Sequence, residues 1–179
     1  MRWTTLAAAA LLSLPLDLAA QAATKGHDSH AGHAAHAAPD SAAQKDSAFA
    51  AVQARGKIAM GVDQYTSVHR FDDLPDGGRI ELQRDPADTA GVATIRAHLR
   101  EIADAFAAGD FATPGFVHDQ EVPGVKEMAA RKASIRYRFE PLPGGGAVRI
   151  VTSDPEALKA IHAFLAFQRS DHRAGGMEH

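Results

Sequence analysis

Polar and apolar residues alternate in two stretches of the chain that resemble each other, residues 68–86 and 136–155. Both contain, in the same order, an Arg-Phe pair, an acidic residue, Leu-Pro, a pair of glycines, Arg-Ile and a closing Asp-Pro. Alternation on both sides of a glycine connection is typical of a β-hairpin, and Asp-Pro is a signal for the start of a helix. The agreement in order and spacing predicts an internal repeat that is built on two hairpins.

The alternation also predicts which side chains of the hairpins face the core, because every second side chain points to the same face of a strand. The predicted inner face carries Tyr65, Ser67, His69, Phe71, Ile80 and Leu82 in the first hairpin and Ile135, Tyr137, Phe139, Val148, Ile150 and Thr152 in the second. The predicted outer face carries Arg70, Arg79, Glu81, Arg136, Arg138 and Arg149. One apolar face and one charged face indicate an antiparallel sheet that is buried on one side only.

Helical periodicity follows each hairpin, since apolar residues recur there at steps of three and four. The two stripes are Val92, Ile95, Leu99, Ile102 and Phe106, and then Leu158, Ile161 and Leu165. Shorter helical patterns precede the hairpins at residues 47–61 and 123–132. The sequence therefore predicts an α+β domain in which two helix-hairpin-helix units form one four-stranded antiparallel sheet with helices packed on one face.

The N-terminal residues have the composition of an export signal. Arg2 precedes an apolar stretch at residues 6–18, and a run of small residues ends at Ala22. These three features together are typical of a secretory signal peptide. We therefore expect residues 1–22 to be cleaved and the remaining chain to be periplasmic or secreted. No other stretch approaches the length of a membrane span.

Composition divides the remaining chain into a tether, a domain and a tail. Residues 23–46 contain no large apolar side chain, so they cannot bury enough surface to offset the entropy of ordering and are predicted to be a flexible tether. One domain is expected at residues 47–173, and a disordered tail at 174–179. Within the domain, the predicted parts are the first repeat at 47–110, a connector at 111–122 and the second repeat at 123–173.

Amino-acid composition excludes several classes of protein. The 179 residues include no cysteine, which excludes disulfides, thiolate metal sites and covalent haem attachment. The formal net charge is −3 at pH 7, which gives no reason to expect binding to nucleic acids. The length suits one ordinary domain with an extension.

Several histidines of the predicted domain border a common interior. They lie on a predicted strand face, on the flanks of the helical stripes and in the connector, and they are His69, His98, His118, His162 and His172. Histidine is the commonest metal ligand and titrates near neutral pH, so their convergence would indicate a functional site. A histidine on an apolar flank can instead hydrogen-bond a neighbouring carbonyl, and the chain contains no HExxH motif. The metal interpretation takes all five as candidate ligands.

The histidine-rich tether is a second candidate metal site. His27, His30, His33 and His36 are spaced three residues apart. Closely spaced imidazoles in an accessible chain can share one Cu(II), Zn(II) or Ni(II) ion without a preformed cavity. We therefore expect this segment to collect metal ions.

An enzymatic alternative uses the same imidazoles as general bases. His69, His118 or His162 would accept a proton, and Asp63 or Asp119 would orient the ring. The chain contains no GxSxG or SxxK motif that would indicate a nucleophilic serine. A third alternative is an interaction module that dimerises through its sheet or helix faces and whose histidines are structural.

The chain resembles a widespread family of small exported bacterial proteins whose function is not established. The resemblance covers nearly all of residues 53–172, in the segments MGVDQYTSVHRF, GGRIEL, IRAHL, FAAGDFATPGFVH, VPGV and IHAFLAFQRSDH. The positions that the resemblance implies as shared are Asp63, Gln64, His69, His98, His118, His162, Gln168, Asp171 and His172. Members are sometimes labelled aspartate carbamoyltransferase, but this chain is too short for that two-domain enzyme and lacks its Ser-Thr-Arg-Thr phosphate loop.

The sequence thus favours an exported soluble binding protein over an enzyme. Its expected partner is a transition metal, copper or zinc, or a small metal-bearing ligand, bound at a histidine-lined site. A small enzyme with histidine acid-base chemistry and a homodimeric interaction module are the alternatives.

Overall fold

The computed structural model of the protein describes residues 41–174. The helices in this range are α1 (Ser41–Met60), α2 (Thr89–Ala108), α3 (Ala112–His118), α4 (Val125–Ala130) and α5 (Pro155–Asp171). The strands are β1 (Ser67–Leu74), β2 (Gly77–Arg84), β3 (Ile135–Leu142) and β4 (Gly145–Thr152). Short 3-10 turns precede β1 and β3, at Gln64–Thr66 and Lys132–Ser134.

The four strands form one antiparallel sheet in the order β1-β2-β4-β3. Each hairpin turns over two residues, and the hairpins meet through their second strands, where Ile80 lies opposite Val148. The predicted α+β class and four-stranded antiparallel sheet are confirmed. The strand order is the one that two hairpins related by a twofold axis would produce, and the duplication itself stays a prediction.

The core lies between one face of the sheet and helices α2 and α5. Both predicted apolar stripes supply it, and Ile95, Ile161 and Leu165 are fully buried. Helix α5 approaches the sheet most closely at Gly78, where a Cβ atom would overlap the side chain of Leu165. A glycine in β2 therefore lets the helix lie directly against the strand.

The opposite face of the sheet carries a network of charged side chains. The Arg79 guanidinium donates to Glu140 at 2.6 Å and to Glu81 at 3.2 Å, and Arg138 donates to the other oxygen of Glu140 at 2.6 Å. These residues lie on β2 and β3, which are separated by β4, so the ion pair between Arg79 and Glu140 crosses the sheet. The predicted division into an apolar inner face and a charged outer face is confirmed.

The prediction that Tyr65 lies on the inner strand face is wrong. Its side chain is 70% exposed. Asp63 accepts a hydrogen bond from the backbone N–H of Tyr65 at 2.9 Å and starts a 3-10 turn there, so strand alternation begins only at Ser67. An aspartate at such a position competes with extended structure by bonding its own backbone.

Two helices differ from the sequence prediction in extent. Helix α1 begins at Ser41, six residues before its predicted start, because the alanine-rich end of the predicted tether continues the helix. The predicted connector contains α3, although its sequence has a proline and a glycine. Pro114 is tolerated because it lies in the first turn, where the missing N–H has no intrahelical acceptor.

None of the helices within residues 41–174 is both long and apolar enough to cross a membrane.

Candidate functional site

Helices α3 and α5 are joined at their C-terminal ends by the imidazole of His118. Gln168, Asp171 and His172 follow one another at steps of three and one, so they lie on adjoining parts of one helical turn. The side chain of His118 is buried, its Nδ1 contacts the Asp171 carboxylate, and its Nε2 lies 2.9 Å from the Gln168 side-chain oxygen. Both ring nitrogens are occupied, so His118 links two helices and has no free nitrogen for a ligand.

Three further rings pack beside this link. His69 on β1 and His172 at the end of α5 stack with centroids 5.3 Å apart and planes within 10° of parallel. Phe71 stacks on His172 at 5.5 Å, and His118 meets His172 edge-on at 5.0 Å. His69 and Phe71 are two residues apart on the inner face of β1, which explains why both reach the helix end.

Burial keeps the imidazoles of His69, His98 and His172 uncharged near neutral pH. Burial, with a smaller contribution from His98, lowers the pKa of His69 to about 4. Burial, followed by the proximity of His69 and His118, lowers the pKa of His172 to about 3. Burial also lowers the pKa of His98, against the opposing effect of the Glu101 carboxylate. An uncharged imidazole keeps a lone pair that can accept a hydrogen bond or bind a metal ion.

A cavity of about 80 Å³ lies inside this group of rings. Most of its wall is apolar and comes from the core side chains of β1, β2 and α2, among them Phe71, Leu82 and Leu99. The polar side chains that line it are Gln64, His69, His98, Thr113, His118, Gln168 and His172. Four of the five candidate histidines of the domain thus meet at one cavity.

Gln64 reaches the cavity because helix α1 has a glycine opposite it. The Gln64 side chain is 6% exposed, and a Cβ atom at Gly56 would overlap its amide nitrogen. Glycine inside a helix costs about 1 kcal/mol relative to alanine, so the residue weakens α1 and in return leaves space for a buried amide.

Two polar atoms at the cavity wall lack hydrogen-bond partners among residues 41–174. They are Oε1 of Gln64 and Nδ1 of His172, and both are inaccessible to bulk solvent. The great majority of buried polar side-chain atoms have a partner in folded proteins. Two such atoms at one cavity are the arrangement expected where a bound molecule supplies the missing partners.

An outer cleft of about 350 Å³ adjoins the cavity. Four residues line both spaces: Ala59, His98, Ile102 and Thr113. Beyond them the cleft is lined by the alanine side chains of α2 and α3, by Phe116 and by Glu101. The outer cleft therefore offers a route between the cavity and solvent, with His98 at the junction.

His162, which the sequence groups with the site, lies elsewhere. Its Nε2 is 3.0 Å from the carbonyl oxygens of both Leu74 and Gly77, and it donates to them at the turn between β1 and β2. The wheel position of His162 beside the core stripe is consistent with this placement, because the hairpin turn also borders that side of α5. His162 holds a turn in place and does not line the cavity.

The two aspartates of the enzymatic alternative do not contact an imidazole in the described residues. Asp63 caps the 3-10 turn before β1, and the backbone N–H of Tyr65, with a further contribution from Lys57, lowers the pKa of its carboxyl group. Asp119 ends α3 in the left-handed conformation, with an exposed side chain 4.0 Å from the Arg55 guanidinium. The carboxylate that does meet a histidine is Asp171.

The predicted metal ligands of the tether, His27, His30, His33 and His36, lie outside the described residues. Within residues 41–174, no three histidine, aspartate or glutamate side chains are grouped as they are around a metal ion. The prediction of a copper or zinc site in the domain therefore stays a prediction.

Residue patterns alone left out the parts of the site that come from packing between elements. The sequence patterns assigned no role to Gly56, and they did not pair His118 with Gln168 or Asp171. One signal was present, since Gln168, Asp171 and His172 cluster in the last turn of a helix whose face was already predicted.

No protein-family model matches the chain, and no curated protein or solved structure matches it either.

Proposed function

We propose that the protein binds a small ligand in the cavity formed by β1, β2, α2, α3 and the end of α5. One observation carries the proposal: four histidines and two glutamines converge on an apolar cavity at which Gln64 Oε1 and His172 Nδ1 have no partner within residues 41–174. A largely apolar pocket with a few convergent polar groups is the usual form of a small-molecule site.

The size of the cavity limits what it can hold. A cavity of about 150 Å³ can bind benzene, and one water needs about 10–15 Å³ of such space, so a volume of about 80 Å³ accommodates a group of roughly three to five non-hydrogen atoms. The group is uncharged, because a buried ion without a counterion is strongly unfavourable and no lysine, arginine, aspartate or glutamate lines the cavity. A hydrogen-bond donor on the group would satisfy Oε1 of Gln64, since that oxygen can only accept.

Titration with propan-1-ol and propanamide, followed by backbone amide NMR, tests the proposal. We expect saturable shifts at Gln64, Leu99 and His172, with little change at the outer face of the sheet. Enlarging a side chain at the wall should abolish them, and Ala59→Leu makes that change because Ala59 lines the cavity.

Ala54→Leu is the matched control, since Ala54 is an exposed residue of the same helix that does not line the cavity. Thermal denaturation of both variants checks that α1 still packs. Shifts that fail to saturate, or that persist unchanged in Ala59→Leu, would contradict the proposal.

A second candidate ligand is a copper(I) ion. The thioether of Met60 lines the same cavity as the neutral imidazoles of His69 and His172. Thioether and imidazole are donors that suit Cu(I), and a monovalent ion among neutral ligands costs less to bury than a divalent one.

Copper(I) competition with a chromophoric chelator separates the cavity from the tether. The measurement uses the full protein, a form without residues 23–46 and the His69→Phe/His172→Phe variant. Copper retained by the truncated form and lost by the double variant would support a site in the domain. Copper lost with residues 23–46 would confine binding to the tether.

A further inference from the structure

We propose that the ligand carries a cationic nitrogen, which binds in the outer cleft between Glu101 and Phe116 while its uncharged end occupies the inner cavity. This inference rests on the proposed function and names the chemical class of the ligand. It makes the cavity and the outer cleft two parts of one elongated site.

The Glu101 carboxylate supplies the negative charge of the outer cleft. Glu101 is an exposed residue on α2, one helical turn before Ala105 and three residues after His98. Within residues 41–174, no lysine or arginine lies within ion-pair distance of Glu101. An unpaired carboxylate at the mouth of an apolar cavity favours a cation as its partner.

Phe116 supplies an aromatic surface in the same cleft. Its side chain is 48% exposed although it is large and apolar, and it lies on α3, across the cleft from α2. The cleft is otherwise lined by the small side chains of Ala59, Ala105 and Ala112 and by the residues at its junction with the cavity, His98, Ile102 and Thr113. An aromatic ring beside a carboxylate is a recurring arrangement for binding an organic ammonium group.

The inner cavity cannot take the charged end of such a molecule. No lysine, arginine, aspartate or glutamate lines it, and the Asp171 carboxylate nearby is already paired with His118. The Oε1 atom of Gln64 instead requires a neutral donor, such as a hydroxyl or an amide N–H. A linear molecule with a hydroxyl or amide at one end and an ammonium at the other meets both requirements.

Three probes of equal carbon number test the inference: 5-aminopentan-1-ol, pentan-1-ol and pentylamine. At neutral pH and low salt we expect 5-aminopentan-1-ol to bind about tenfold more tightly than pentan-1-ol, the factor typical of one weak ion pair combined with one cation–π contact. We expect high salt to reduce this preference, because the Glu101 carboxylate is exposed. Pentylamine should bind less tightly than the amino alcohol, because it lacks the donor for Gln64.

Glu101→Gln and Phe116→Leu should each lower the affinity for 5-aminopentan-1-ol more than the affinity for pentan-1-ol, and so reduce the preference for the amino alcohol. Asp104→Asn is the matched control, since Asp104 is an exposed acid on α2 that lines neither space. A preference that is absent from the unaltered protein, or that survives Glu101→Gln, would overturn the inference. Pentan-1-ol binding at the cavity in that case would still support the proposed function, whereas failure of all three probes would overturn both.

Discussion

The stacked histidines make the stability of the domain depend on pH between about 7 and 5, above the range in which most carboxylates titrate. The pKa of His69 is lowered to about 4 and that of His172 to about 3, whereas both are 6.5 in the unfolded chain. Between pH 6.5 and these values the unfolded state binds more protons than the folded state. Stability therefore falls as pH decreases through this window, and it is regained as pH rises above 6.5.

The size of this effect follows from the two shifts. On going from pH 7 to pH 5, each histidine binds nearly one proton in the unfolded chain and almost none in the folded one. The expected loss is about 2 kcal/mol for each residue, or about 4 kcal/mol together. With a urea dependence of roughly 2 kcal/mol per molar, the unfolding midpoint would fall by about 2 M.

Urea denaturation at a series of pH values between 7 and 5 measures this loss. His69→Phe and His172→Phe keep an aromatic ring in the stack but remove the titrating group, so each should recover about 1 M of the midpoint shift and the double variant about 2 M. Any loss that remains in the double variant is expected from His98, whose pKa is also lowered by burial. A double variant that still loses stability as steeply as the unaltered protein between pH 7 and 5 would refute the assignment of the effect to these two rings.

Three other substitutions test the remaining parts of the site. Gly56→Ala should stabilise an isolated helix but lower the melting temperature of this protein, because the new Cβ displaces the buried Gln64 amide. Ala54→Gly on the same helix is the comparison, and it should show the usual cost of a glycine in a helix, about 1 kcal/mol of unfolding free energy. Asp171→Asn removes the carboxylate that holds His118 and should cost about 2 kcal/mol of unfolding free energy, whereas an unchanged value would show that the contact contributes nothing. His162→Phe removes the donor to the β1–β2 turn, so it should speed amide hydrogen exchange at residues 74–77 without altering the shifts caused by propan-1-ol.

The fold was largely readable from local patterns. Period-two alternation around the glycine turns identified four strands, and the steps of three and four identified Val92 through Phe106 as one buried stripe of α2. Such patterns succeed because the buried face of an element is set by its own backbone geometry. Tyr65 does not follow the pattern, because the Asp63 side chain accepts a hydrogen bond from the Tyr65 backbone N–H. A turn therefore replaces the first residues of the expected strand.

From the sequence, the candidate site could be predicted only as a set of histidines that border the core. His162 and His172 lie on the same side of α5 in the sequence pattern, yet the first bonds to the carbonyls of a hairpin turn and the second stacks on His69. The position of a residue in a helix determines the direction in which its side chain points. The partners that the side chain contacts belong to other elements, and which of them it reaches depends on how those elements pack against the helix.

By itself, then, the sequence determined the α+β class, the antiparallel hairpins, the apolar and charged faces of the sheet, and the placing of several histidines near one interior. Tertiary structure decided which of those histidines share a cavity, which nitrogens are already bonded, and that Gly56 makes room for Gln64. The division has a physical reason. Alternation and helical periodicity are properties of contiguous residues, whereas burial, hydrogen-bond satisfaction and the lowered pKa values of His69 and His172 come from contacts between different elements of the fold.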